Sequence, residues 1–247
     1  TEGIFAPWAF YKKDFQEIGG HDELYAPQSK EDSDIFNRFQ LNGIKFKQTW
    51  GGCVYHMTCR GSRFADGAKR NPDGNVFMKN RETDEWLKQN QKATREFIRK
   101  WGHFVKHDEY LKPIIPSKYD VGIIMSNNNL ELLKVLEPWC SNMYCDSSLR
   151  NHYITTEQST TSFDLSERVL PYNNEKQNGV LVEINANNFT QQDYDYITKL
   201  SQILDNERKG LEQELIHFSD DPEFELGNLK ISINNLRTSE KELIICE

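Results

Sequence analysis

Paired cysteines, a long apolar run and an excess of positive charge are all missing from this sequence, and each shortage excludes a class of function. The five cysteines, Cys53, Cys59, Cys140, Cys145 and Cys246, are scattered, odd in number and never in a C-x-x-C pair. Neither a disulfide framework nor a structural zinc site is therefore expected, and a reducing, cytoplasmic setting fits best. No stretch approaches the roughly 18 consecutive apolar residues of a membrane span, so none is expected within the chain. The opening Thr1-Glu2-Gly3-Ile4-Phe5 has neither the basic segment nor the apolar core of a signal peptide. Lys and Arg number 30 against 38 Asp and Glu, a formal charge of -8. That balance argues against a nucleic-acid partner, because neutralising phosphates takes basic residues gathered in excess on one face. An initiator Met is also absent, and patterned sequence starts at once, which suggests a piece of a longer protein.

What is present is an ordinary globular composition, with 37% hydrophobic residues over 247 positions, enough for one large domain or two small ones. Residues 1–63 are dense in glycine, aromatic and acidic residues, and 65–75 read as a loop. Between 82 and 105 the apolar Trp86, Ala93, Phe97, Ile98, Trp101, Phe104 and Val105 recur every three or four positions, the stripe of an amphipathic helix. Pro113 and Pro116 then break all periodicity, which places a domain boundary near 117. Two domains are expected, 1–117 and 118–247. In the second, 119–125, 142–146, 154–156, 162–169, 179–184, 224–233 and 242–246 read as strands, and 129–136 and 191–204 as helices. The charged stretch 206–222 reads as an exposed excursion. This α+β domain offers no nucleophile, metal cluster or phosphate loop.

The chemically suggestive residues lie in Glu17-Ile18-Gly19-Gly20-His21-Asp22-Glu23, in Glu31-Asp32-Ser33-Asp34, and in Arg38, Gly43 and Val54-Tyr55-His56. Adjacent glycines permit a turn with positive φ and close approach of another chain or a ligand, which can hold Asp22 at a pocket rim. Asp32 or Ser29 can cap the following helix, Ile35, Phe36 and Phe39 give it a buried face, and Gly43 is a plausible stop. Carboxylates at that helix start sit in the field of the helix dipole, ionised as a base must be, so Glu31 and Asp32 are the candidate catalytic residues. The bland reading is an acid-decorated helix start, which caps and dipoles favour everywhere. His103 and His107 are four apart and invite a metal reading, although an ordinary helix end suits them better. Cys140 and Cys145 read as small buried hydrophobes.

The run Gly19-Gly20-His21-Asp22-Glu23, then Glu31-Asp32-Ser33-Asp34 and Arg38, resembles the "GG-x-D-E … E-D-x-D … R … G" signature of family-2 glycosyltransferases of the GT-A type. Residues 5–15, from Phe5 to Phe15, are similar to the strand and helix that precede it in that family. The resemblance covers about 1–63, roughly a quarter of the chain. It implies an α/β to α+β chain: a partial GT-A half, the acceptor side of a nucleotide-diphospho-sugar transferase, followed by a small α+β domain. It further implies Asp32 as the base with Glu31 as helper, Trp8, Asp22, Gly20 and Arg60 as substrate contacts, and His56 as a ligand of a divalent cation, Mn²⁺ or Mg²⁺. The expected partners are a nucleotide-sugar donor and a glycan or other hydroxyl acceptor, with a homo-oligomer possible. The family's nucleotide-binding half precedes this region and has no counterpart upstream; Asp32-Ser33-Asp34 and Asp193-Tyr194-Asp195 match its D-x-D only literally. The alternative is a non-catalytic glycan-binding or assembly protein stacking sugars on Trp8, Tyr25 and Trp50. A metal-dependent hydrolase using Glu31, Asp32 and Asp34 is a third reading.

Overall fold

The computed structural model describes residues 8–27, 29–52, 69–70, 76–77, 84–214 and 223–246. They divide into two compact units, one comprising 1–94, 107–114 and 246–247, the other 95–106 and 115–245. The first holds helices α1 (Lys12–Glu17) and α2 (Glu31–Leu41), a 3-10 turn at Glu23–Tyr25 between them, and short strands β1 (Lys69–Arg70) and β2 (Val76–Phe77). β1 pairs antiparallel with β2, so the segment expected to be a loop contains a strand. Helix α3 (Asp84–Trp101) lies within the stretch its apolar stripe predicts.

Helix α2 buries Ile35 and Phe39 and stops at Gly43, whose φ is +79°. There the Gly43 amide bonds to the Gln40 carbonyl at 3.2 Å and the Ile44 amide to the Phe39 carbonyl at 2.9 Å, which satisfies the last turn. Its beginning departs from expectation: neither Ser29 nor Asp32 is the cap. Lys30 occupies that place in the left-handed region with no side-chain cap, while the Ser29 hydroxyl donates to Asn90 Oδ1 of α3 at 2.7 Å.

The second unit contains β3 (Val121–Ser126), α4 (Leu130–Leu136), β4 (Asn142–Cys145), α5 (Ser147–Glu157), α6 (Leu165–Arg168), β5 (Val169–Pro171), β6 (Val180–Asn185), α7 (Gln191–Glu214), β7 (Glu223–Leu226) and β8 (Leu229–Ile233). They make a mixed six-stranded sheet in the order β5-β4-β3-β6-β8-β7. The first four strands are parallel, β8 is antiparallel to β6, and β7 is antiparallel to β8. Alternation sends Val121, Ile123 and Met125 of β3 into one core with Met143, Val182 and Ile231, where Leu133, Tyr153 and Leu200 of the helices join them. On the opposite face stands Gly122, where a Cβ would collide with Asn178. That close approach lets the segment between β5 and β6 lie against the sheet, with Asn178 also accepting from the Tyr144 hydroxyl at 2.8 Å.

Three expected strands are not strands. Residues 154–156 belong to α5: Thr155 and Thr156 return their hydroxyls to the carbonyls of Asn151 and His152, at 2.8 and 3.0 Å, while Leu149 and Tyr153 bury the helix. Half of 162–169 is α6, started by Asp164 accepting from the Ser166 amide, and only Val169 begins a strand, β5. Glu240–Leu243 is a 3-10 turn. Conversely, α7 runs on to Glu214, well into the expected excursion. A fully buried carboxylate, Glu137, joins the helices of this unit. It accepts from Arg99 Nη2 at 2.6 Å, Arg168 Nε at 2.5 Å and the Tyr153 hydroxyl at 2.9 Å. Among the described residues no helix is long and apolar enough to cross a membrane.

Candidate functional site

The glycine pair after α1 takes the conformation its sequence invites, with φ of +81° at Gly19 and +80° at Gly20. At Gly19 there is a second reason for glycine, because an added Cβ would sit 3.0 Å from the carbonyl oxygen of Cys246. The turn is fastened from α2. Arg38 donates through Nη1 to the Ile18 carbonyl and through Nη2 to the Gly20 carbonyl, each at 2.7 Å, and its Nε pairs with Asp34 Oδ2 at 2.7 Å. Arg38 and Asp34 are both fully buried, four residues apart on one helix face. Asp34 also accepts from the Tyr25 hydroxyl at 3.3 Å, and Asp22 Oδ1 accepts from the Leu24 amide at 2.9 Å, starting the 3-10 turn. Thus Asp34 and Arg38 are the lock of the turn, and Asp34, one of the three carboxylates named in the hydrolase reading, is ion-paired to Arg38.

Glu31 and Asp32 stand at the first turn of α2 in this fastened frame. Asp32 is half-buried, and its carboxyl is pushed above the usual range, first by loss of solvent and then by the neighbouring Glu31 charge, with His21 pulling the other way. The ring of His21 meets Phe15 edge-on at 5.3 Å. Trp8 is half-buried in a cluster of rings, stacked on Phe10 at 4.6 Å and tilted against Phe36 at 5.4 Å. The first unit therefore contains Trp8, Gly20, Asp22, Glu31 and Asp32 around the glycine turn and α2. His56 and Arg60 lie outside the described residues. Sequence reading missed two roles: His21 as a charge neighbour of Asp32, and Asp34 with Arg38 as the clamp. The i, i+4 spacing of the latter pair was the available signal.

Asp22, Asp34 and Cys246 bring one potential ligand atom each within 4.8 Å of one another. This set does not fit Mn²⁺ or Mg²⁺, which prefer several hard oxygen ligands; a thiolate is soft, and Arg38 already neutralises Asp34. The His103 and His107 reading also falls, because α3 ends at Trp101, before either residue. His103 is 2% exposed, with Nδ1 against the Phe104 carbonyl at 2.6 Å, and burial pushes it down to about 4. Cys140 and Cys145 are buried free thiols. Asp193 of the second literal D-x-D is a structural cap, accepting from the Thr190 amide and hydroxyl and from the Asn228 amide. Comparisons with family models, curated proteins and solved structures return no match for this chain.

Proposed function

We propose that the first unit is the acceptor side of a GT-A-type glycosyl-transfer site, with Asp32 removing the proton of an acceptor hydroxyl as the sugar leaves its nucleotide diphosphate. The environment of Asp32 supports this reading most. A half-buried carboxylate with raised proton affinity is a better base than a solvated one, and here it stands on a helix fastened by a buried clamp. Glu31 beside it raises that affinity further, and His21 limits the rise. The divalent cation expected with such a donor would act on the leaving diphosphate, apart from the base step, and His56, its expected ligand, lies outside the described residues. The glycan-binding alternative loses one of its three stacking residues, because Tyr25 is 1% exposed.

The test is transfer from a panel of nucleotide sugars to saccharide and other hydroxyl acceptors, comparing the chain with Asp32→Asn. Loss of a general base lowers turnover by about 10²- to 10⁴-fold, and the melting temperature should not move. Equal rates in the variant sink the assignment of the base, and no transfer by the unsubstituted chain sinks the enzymatic reading of it.

A further inference from the structure

An asparagine followed by glycine can modify itself, because a glycine amide nitrogen, unhindered by a Cβ, is free to attack the carboxamide carbon of the residue before it. The sequence contains two such pairs, Asn42-Gly43 and Asn178-Gly179. The fold treats them in opposite ways.

Asn178 is buried, and its carboxamide is held at both ends. Nδ2 donates to Asp120 Oδ1 at 2.7 Å and to Asn142 Oδ1 at 2.9 Å, while Oδ1 accepts from the Tyr144 hydroxyl at 2.8 Å. The Gly179 amide is turned toward Asp120 Oδ2 at 3.4 Å, and a Cβ at Gly179 would lie 2.8 Å from Asn235 Oδ1. The nitrogen and the carboxamide carbon cannot approach one another without opening this buried network.

Asn42 is the reverse case. It ends α2 half-buried, and its carboxamide makes no hydrogen bond among the described residues. Gly43 is exposed at φ +79°, and a Cβ there would meet nothing within 4 Å, so the peptide has room to turn. The attacking amide is restrained by its bond to the Gln40 carbonyl at 3.2 Å, in the last turn of a helix, where local opening costs least.

We propose that Asn42-Gly43 is a self-modification site, at which the asparagine becomes aspartate or isoaspartate with water as the only co-reactant, and that the fold protects Asn178-Gly179 from the same change. The Gly43 nitrogen forms a bond to Asn42 Cγ, the bond from Cγ to Nδ2 breaks, and the carboxamide nitrogen leaves as ammonia with the proton that the glycine amide gives up. Water then opens the five-membered ring. Addition at one carbonyl gives aspartate; addition at the other routes the backbone through Cβ and Cγ and gives isoaspartate. Either product sets a carboxylate at the carboxyl end of α2, where the helix dipole is already negative. Isoaspartate also lengthens the backbone just before the Gly43 and Ile44 amides that satisfy the Gln40 and Phe39 carbonyls. The helix so loosened is the one that carries Glu31 and Asp32, but the proposal is independent of the reading of Asp32.

Peptide mass spectrometry of the whole chain, incubated in mildly alkaline buffer with and without urea, tests it, using fragmentation that separates isoaspartate from aspartate. In the folded chain Asn42 should convert at least about tenfold faster than Asn178, because one site opens by local fraying and the other only with the sheet. In urea the two rates should converge. The proposal is overturned if Asn42 does not convert, if Asn178 keeps pace with it in the folded chain, or if the gap persists in urea, which would place its cause in neighbouring sequence and not in the fold. Asn42→Gln, which would have to close a six-membered ring, should leave its peptide unchanged in mass; conversion of that peptide at the same rate overturns the assignment to Asn42.

Discussion

Arg38 illustrates how one residue converts a flexible sequence into a fixed turn. Three bonds leave its guanidinium, two to the carbonyls that flank the left-handed glycines and one to Asp34. Arg38→Met removes all three and leaves Asp34 as an uncompensated buried charge. Breaking a buried pair in this way costs about 3–5 kcal/mol, which urea unfolding would read directly. Arg38→Lys should recover little of that loss, since an ammonium cannot reproduce the planar fork that reaches Ile18 and Gly20 together. Unfolding midpoints unchanged in both variants would show that the clamp contributes nothing to stability. Asp32, by contrast, is only half-buried, so its loss should appear in turnover and not in stability.

At the scale of elements, helix starts decide more than propensity does. In α7 the Thr190 hydroxyl and the Asp193 carboxylate satisfy one another's backbone amides, at 3.3 and 2.7 Å, a reciprocal cap written in the sequence as T-x-x-D. The same carboxylate reaches the turn between β7 and β8, accepting from the Asn228 amide at 2.9 Å and its Nδ2 at 2.9 Å. Asp193→Ala thus loosens a helix and a hairpin at once. The expected cost is on the order of 3 kcal/mol by thermal unfolding, more than an ordinary cap, because hydrogen bonds to a charged acceptor are among the stronger ones. A loss below 1 kcal/mol would mean that the cap and the turn are held by other contacts.

For the molecule as a whole, pH is the lever, and two buried groups of the second unit set its direction. Burial holds His103 down to about 4, against an ordinary 6.5, so the folded protein resists its protonation and stability falls as pH drops from 6.5 toward 4. Burial alone would raise Glu137, but Arg168 and Arg99 outweigh it and bring the carboxyl down to about 2 from 4.5. That stabilisation is complete above 4.5 and is lost as pH falls toward 2. Each shift is worth about 3 kcal/mol over its window. Stability measured against pH should therefore decline in two stages, and His103→Phe should abolish the first while leaving the second. A single decline confined below pH 4.5 in the unsubstituted chain would refute the role of His103.

The local pattern of the chain already specified much of this. Apolar spacing located α3, α4 and α7, alternation located β3 and β6, and the glycines at 19, 20 and 43 announced their turns, because periodicity and backbone freedom are properties of neighbouring residues. The acid pair Glu31 and Asp32 was visible for the same reason. Where β-branched runs misled, as at 154–156, the competing contacts were a cap at Asp146 and burial of Leu149 and Tyr153, and the burial depends on a sheet assembled from distant segments. The pairing of Arg99 with Glu137, 38 residues apart, and of Asn127 with Asn185, 58 apart, left no mark in any window of sequence. Partners at such separations are chosen by strand order and by the need to satisfy polar groups once they are buried or brought face to face.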